Sequence, residues 1–527
     1  MSLFNWLHRK KLVKKGLACD KTRHSSQRSD WVAILEEHPL VRLSIFVGFA
    51  GVIALLALTT TKPLQREVYI LLSIVLGYSI LILSLDLPEV WRSNSKTFLV
   101  YGTLAVNILI TRGIHYFSQH QEAIYYPTSY YLIPMTFAPL VLSILMGTRV
   151  GLFAVIIPSL LDALLFNKSF PLMLVSLIAG LTAVLFTRNV RKRSHLLNAG
   201  FAIGICSMVC AIIFGALSDR SMNALIQHGS INIVIGLATA MFVNSTLPIF
   251  ETLFNITPEI SWVETADLNH PLLRQLTLEA PGTYHHSLMV ANLAESAATA
   301  IGANATQCRV ISYFHDIGKI PKAEYFIENI PQGEDPHADL SPSMSALIII
   351  SHVKEGISLA YKNRLKKPII DAIQQHHGDS LVYYFYKRAK QQEGDAKAGS
   401  KILHMHEEDI PAVCESSFRY PGPRPQTKEV AILMLADAIE SASRSLEKPT
   451  PQRVESLVKD IVEHKMLTHQ LDECPISLQE INLLKESFTL TLKSMLHVRI
   501  AYPKEDRSHP SAQSSKKTSA SDSAAAA

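Results

Sequence analysis

The sequence predicts an all-α protein in two parts: a polytopic transmembrane helical bundle followed by a cytoplasmic all-helical domain. Three observations carry that reading. Of the 527 residues 48% are hydrophobic and only 18% charged, with the apolar excess concentrated before about residue 250. That first part divides into runs of membrane-crossing length. The second part has the polarity of a soluble protein and spreads histidines and carboxylates over several separate helices.

The first forty residues, 1–40, form a basic cytoplasmic segment with Arg9, Lys10, Lys11, Lys14, Lys15, Lys21, Arg23 and Arg28. The first apolar run begins only near Leu43 and is of span length, so it reads as a retained helix rather than a signal peptide. Eight runs follow across 41–250, at roughly 43–60, 67–86, 97–113, 130–147, 150–166, 170–187, 199–217 and 230–250. Each has the roughly 17–21 residues that cross a hydrocarbon core of about 30 Å. Backbone groups in lipid must bond within their own segment, so these runs are helices.

Eight spans put both termini on one side. The basic N-terminus and the group Arg188, Arg191, Lys192 and Arg193 fall on that side, which the positive-inside rule makes cytoplasmic. The opposite loop at 114–129 has few positive charges, and Tyr125, Tyr126, Tyr130 and Tyr131 suggest an interfacial belt. Asp162 sits inside a span, beside Asn167 and Lys168, where a helix partner or snorkelling would accommodate it. The net charge of +5 is modest and its basic residues serve topology, so composition makes no case for a nucleic-acid partner. The six cysteines show no CxxC pair, and Cys206 and Cys210 share a helix face as packing residues.

From 251 to 503 the pattern is helical, with helices expected at 283–301, 341–354, 367–377, 428–444 and 451–465 and a polar loop at 391–415. The tail at 504–527 is rich in Ser, Ala and Lys, lacks apolar periodicity and is expected to be disordered.

Histidines carry the chemistry of this half. His286, the doublet His315-Asp316, His352, the doublet His376-His377 and Asp437 lie on different helices or at their ends, spread over about 150 residues. Local pairing does not account for that spacing, whereas a helical bundle can bring such side chains to one point. Seven imidazole and carboxylate groups suit one or two transition metals, and the mixed N and O donors favour Fe, Mn or Zn over Mg. Two neighbouring ions lower the pKa of water and neutralise charge on a phosphoryl group during in-line displacement. Asp316, bonded directly after a histidine ligand, is placed to bridge them. Lys319 follows close enough to contact a phosphate oxygen or a leaving group. His285, His270, His337, His404 and His406 read as structural or ambiguous.

The stretches Asp267 to Arg274, Glu279 to Ser287, His315-Asp-Ile-Gly-Lys319, Ser351-His-Val353, Gln375-His-His-Gly378, Phe418-Arg-Tyr-Pro-Gly-Pro423 and Leu435-Ala-Asp437 together resemble the bacterial seven-transmembrane HD hydrolases, the membrane-bound cyclic di-AMP phosphodiesterases. The resemblance implies an HD phosphohydrolase domain over 251–503 with two divalent transition metals, Fe or Mn. His286, His315, Asp316 and Asp437 would hold one ion; Asp316, His352, His376 and His377 would hold the other. Asp316 and Lys319 are the implied catalytic residues, and Arg419, Tyr420 and Arg444 the candidates for substrate or loop support. The implied partners are a cyclic dinucleotide and the lipid bilayer, with no nucleic acid, and a homo-oligomer is left open. The alternatives are an HD phosphohydrolase acting on cyclic di-GMP or other nucleotides, and a nucleotide-binding membrane receptor without catalysis. Cyclic di-GMP enzymes of this kind carry Gly-Tyr-Pro after the His-Asp pair, and no such triplet follows Asp316 here. The chain departs from the family pattern in one place. The large extracytoplasmic domain after the first span is replaced by the few residues from Thr61 to Arg66.

Overall fold

The structure, a computed structural model, describes residues 35–58, 65–120, 133–166, 169–188, 190–330, 335–403, 413–446 and 449–497. Within them every regular element is helical, apart from one isolated antiparallel bridge between Leu381 and Arg419. The expectations for the N-terminal basic segment, the four belt tyrosines, His404, His406 and the tail lie outside the described residues.

The membrane half comprises α1 (Pro39–Leu58), α2 (Arg66–Leu85), the short α3 (Pro88–Trp91), α4 (Asn94–His120), α5 (Phe137–Met146), α6 (Thr148–Leu165), α7 (Phe170–Thr187), α8 (Ser194–Leu217) and α9 (Met222–Phe254). Seven of these are long and apolar enough to cross a membrane; α3 and α5 are not. The run expected at 130–147 is therefore corrected. Its helix has only ten residues, about 15 Å at the α-helical rise. Pro134 supplies the reason: it has no N–H to donate and disfavours helix in the residue before it. Gly147, at φ +88°, then ends α5 in a conformation open to glycine and turns the chain directly into α6.

Side-chain bonds at the helix ends fix their directions. Arg42, at the start of α1, donates to the Arg92 carbonyl (3.0 Å) and to Asn94 Oδ1 (3.2 Å) at the start of α4. Arg112, late in α4, donates to the carbonyls of Leu56 and Leu165, each at 3.3 Å, near the ends of α1 and α6. Thr187, ending α7, meets Ser143 of α5 at 2.6 Å. Arg193, just before α8, reaches the Asn244 carbonyl late in α9. The N-terminus of α1 and the C-terminus of α9 consequently share one end of the bundle. Helix α5 begins at half depth, because the N–H of Ala138 donates to Asn107 Oδ1, at the middle of α4. Asp162 is buried in α6 within electrostatic range of Arg112, the helix-partner arrangement.

The soluble half continues from α9 through a turn at Asn255 in the left-handed region. It contains α10 (Glu259–Thr265), α11 (Pro271–Glu279), α12 (Pro281–Ile301), α13 (Ala305–Phe314), α14 (Pro342–Lys362), α15 (Lys367–Gln375), α16 (Tyr383–Leu403), α17 (Lys428–Ser443), α18 (Pro451–Leu467) and α19 (Leu478–His497). Small residues on α12 (Ala291, Ala294, Ala298) and bulky ones on α13, α17 and α19 (Ile311, Phe314, Leu435, Phe488) form its core. Two expectations are corrected here. Helix α12 starts at Pro281, two residues before Thr283, because Pro at the first helical position has a preset φ and no N–H to leave unpaired. Residues 391–403, expected as loop, complete α16. Their Ala, Lys, Gln and Glu content favours helix, and Glu393 pairs with Lys390 and Lys397 one turn away on either side.

Candidate metal centre

Helix geometry delivers each side chain to one point. His286 comes from α12, His352 from α14 and Asp437 from α17, while His315 and His376 are the capping residues just after α13 and α15. After His315 the chain enters a 3-10 helix, Ile317–Tyr325, that crosses α14. Gly318 allows the crossing, since a β-carbon there would overlap the His352 carbonyl and Gly356.

Asp316 lies at the middle, 1% exposed. Its Oδ2 is 3.2 Å from His315 Nε2 and 3.7 Å from His286 Nε2. Its Oδ1 faces the other way, 3.5 Å from His352 Nε2 and 3.7 Å from His376 Nε2. Two overlapping groups each have potential ligand atoms within 4.8 Å of one another: His286, His315 and Asp316, and Asp316, His352, His376 and His377. Asp437 sits between them, its Oδ1 3.0 Å from His286 Nε2 and 3.9 Å from His315 Nε2, its Oδ2 3.8 Å from His377 Nδ1.

The far ring nitrogens hold the imidazoles in place. Nδ1 of His315 donates to the Ser312 carbonyl (2.8 Å), that of His352 to Ile349 (2.6 Å) and that of His376 to Ile373 (2.9 Å). Nδ1 of His286 is 2.5 Å from Glu440 Oε2. Metal-bound histidines are oriented in the same manner. The donor set fits a cation on a second count. His315 Nε2 and Asp316 Oδ1 are buried without a hydrogen-bond partner, an arrangement costly in an apolar interior unless a positive charge satisfies it.

Electrostatics agree. Burial opposes the charge on Asp316, but His315 and Lys319 outweigh it and hold the carboxyl well below the usual range. Asp437 is lowered likewise, burial being overcome mainly by His286. Burial pushes His352 down to about 4, leaving a neutral imidazole with a lone pair to offer. His286 moves the other way, to about 9, because Asp437 and Glu440 outweigh its burial.

Lys319 bridges two carboxylates, with Nζ 2.8 Å from both Asp316 Oδ2 and Glu328 Oε1. Tyr420 is buried and stacks on His377, ring centroids 4.3 Å apart. Arg419 points away from the cluster, toward Glu415 and the Asp379 carbonyl. Arg444 pairs with Glu440 at 2.9 Å, supporting the carboxylate that orients His286. Sequence reasoning missed Glu440, Glu328 and Lys465. Lys465 of α18 is half-buried, donates to Ser380 Oγ and lies in the field of Asp437. Glu440 could have been found, for it follows Asp437 by three residues on the same helix face.

The family described as 7TM receptor with intracellular HD hydrolase matches residues 64–257, and the HD domain matches residues 283–442. The cyclic-di-AMP phosphodiesterase PgpH of Bacillus subtilis (strain 168) is 34% identical over 421 residues, covering 78% of this chain and 56% of that protein. The protein of the same name from Listeria monocytogenes serotype 1/2a is 35% identical over 377 residues, 71% of this chain and 50% of its own. The chain thus spans about half the length of the curated relatives it matches. A crystal structure of the L. monocytogenes PgpH HD domain in complex with cyclic-di-AMP is 42% identical, covering 44% of this chain and 99% of that one with a TM-score of 0.39. With the membrane region and the HD domain matched in that order along one polypeptide, the chain belongs to the family of 7TM receptors with an intracellular HD hydrolase.

Proposed function

We propose that the protein is a membrane-anchored, metal-dependent phosphodiesterase that hydrolyses cyclic di-AMP to the linear dinucleotide, with the HD domain and both termini cytoplasmic. The observation that carries this reading is Asp316, whose two oxygens face two separate histidine groups. His286, His315, Asp316 and Asp437 would hold one ion and Asp316, His352, His376 and His377 the other. The imidazole and carboxylate set suits Fe or Mn. The ions would supply activated water and neutralise phosphoryl charge. The protein supplies position: carbonyls and Glu440 fix the rings, and Lys319 holds a positive charge against Asp316 beside the reacting phosphate. Water adds to phosphorus and a ribose 3′ oxygen leaves. The substrate assignment draws on the names of the two relatives and on the missing Gly-Tyr-Pro triplet. Metals see only the phosphates, so base choice must come from the pocket walls.

The test is an assay of the purified full chain, loaded with Mn or Fe, against cyclic di-AMP and cyclic di-GMP side by side. The expected outcome is at least about tenfold higher kcat/KM for cyclic di-AMP, about 1.4 kcal/mol of differential binding. Equal or faster turnover of cyclic di-GMP overturns the substrate and leaves the metal centre standing.

A further inference from the structure

A second cavity lies in the membrane half, away from the metal centre. It has a volume of 330 Å³ and is walled by the break before α5 together with α7, α8 and α9. It reaches from the exposed turn at Ser218 and Arg220, at the end of the bundle remote from the HD domain, to Thr239 deep in α9. Ser207, His228, Asn232 and Thr239 line it and are buried. Polar side chains at membrane depth are costly and belong where they face partners or a polar cavity. A void left by imperfect packing would be apolar. This one combines hydrogen-bonding groups with apolar walls at the size of a small-molecule site. Arg220 is its one formally charged lining residue among those described, and no carboxylate joins it.

The walls do not give way independently. Helices α8 and α9 meet backbone to backbone, since a β-carbon on Gly236 would overlap Gly200 and Gly204. Helix α9 then continues from Met222 to Phe254, with Pro248 as an interior proline between the cavity and its HD end. At its HD end Glu251 accepts hydrogen bonds from Ser261 Oγ (2.6 Å) and Lys366 Nζ (2.9 Å). Lys366 caps the start of α15 from the position before Lys367, and His376 caps its end from the position after Gln375.

We propose that this cavity binds a small amphipathic organic anion, its acidic group at Arg220 and its body between α7, α8 and α9, and that α9 carries its occupancy through Glu251 and Lys366 to α15. The binding site stands apart from the phosphodiesterase reading; the relay rests on it.

The probe is 2-naphthoate, with 2-naphthamide as its uncharged counterpart, added to the full chain in lipid nanodiscs. Saturable binding of naphthoate is expected, at least tenfold tighter than that of the amide. Ser207→Phe, which fills the cavity, should abolish it. Arg220→Gln, at the exposed rim, should weaken naphthoate at least tenfold and leave the amide unchanged; this variant decides the matter should Ser207→Phe fail to fold. Non-saturable uptake, or equal binding by Arg220→Gln, overturns the site. Saturating naphthoate should also change the rate of cyclic di-AMP hydrolysis at least twofold, and Lys366→Met should remove that change while keeping the binding. Binding without a change of rate overturns the relay. Hydrolysis of neither cyclic dinucleotide overturns the phosphodiesterase reading and leaves the binding result to judge the site.

Discussion

At the scale of single residues, the division of Asp316 between two histidine groups concentrates risk in one side chain. Asp316→Ala should empty both metal positions together and lower hydrolysis by at least about 10³-fold, about 4 kcal/mol. Metal analysis and circular dichroism on one preparation test this; a folded variant that keeps two ions and near-normal turnover would sink the shared-carboxylate arrangement. Glu440→Gln keeps the shape but weakens the hold on His286 Nδ1, so metal affinity should fall about 10- to 100-fold. Titration of His286 gives a third expectation. Its pKa of about 9 without metal means that it is protonated at pH 7, and it must be neutral to bind an ion. Metal uptake at pH 7 should therefore release a proton that Glu440→Gln releases less completely. Calorimetry in buffers of differing ionisation enthalpy reads that number, and uptake without proton release contradicts it. The histidines and aspartates were legible in the sequence because His315-Asp316 and His376-His377 are doublets and His286, His352 and Asp437 stand in telling local stretches. Glu328 was not, since nothing near Glu328 marks it as the partner of Lys319.

At the scale of elements, the crossing of the 3-10 helix over α14 depends on bare backbone. Gly318→Ala should destabilise the fold by about 1–3 kcal/mol through overpacking and displace His352. A lower Tm together with loss of one ion per chain would register both effects; an unchanged Tm argues against the tight crossing. The same scale shows where reading from sequence stopped. A hydropathy window counts apolar residues without asking whether Pro134 permits a helix, so α5 was expected at full length. The extension of α16 was missed for the converse reason: low hydrophobicity resembles a loop, although Lys390, Glu393 and Lys397 support one another at helical spacing. Helices α14, α15, α17 and α18 were each anticipated close to their starts because Ser341, Thr427 and Thr450 cap three of them and Pro follows Lys367 in the other.

At the scale of the whole molecule, helix direction supplies a topology prediction. Since α1 begins and α9 ends at the same end of the bundle, reporters fused before Met1 and after Ala527 should both report cytoplasm. A reporter signal from opposite sides would break the alternation deduced from Arg42, Arg112 and Arg193. The seam between the halves has a mechanical meaning too. Only Asn255, Ile256, Thr257 and Pro258 separate α9 from α10, and the seam is fastened by Arg193 to Glu264 and by Glu251 to Lys366. An HD domain held in that way cannot tumble on a leash. Its rotational clock is that of the membrane-embedded body, so a dye on the exposed Cys414 should keep a large residual anisotropy after the nanosecond decay of side-chain motion has finished. The candidate metal cluster then keeps one fixed bearing toward the bilayer, and under the proposed function every encounter depends on the substrate doing the searching.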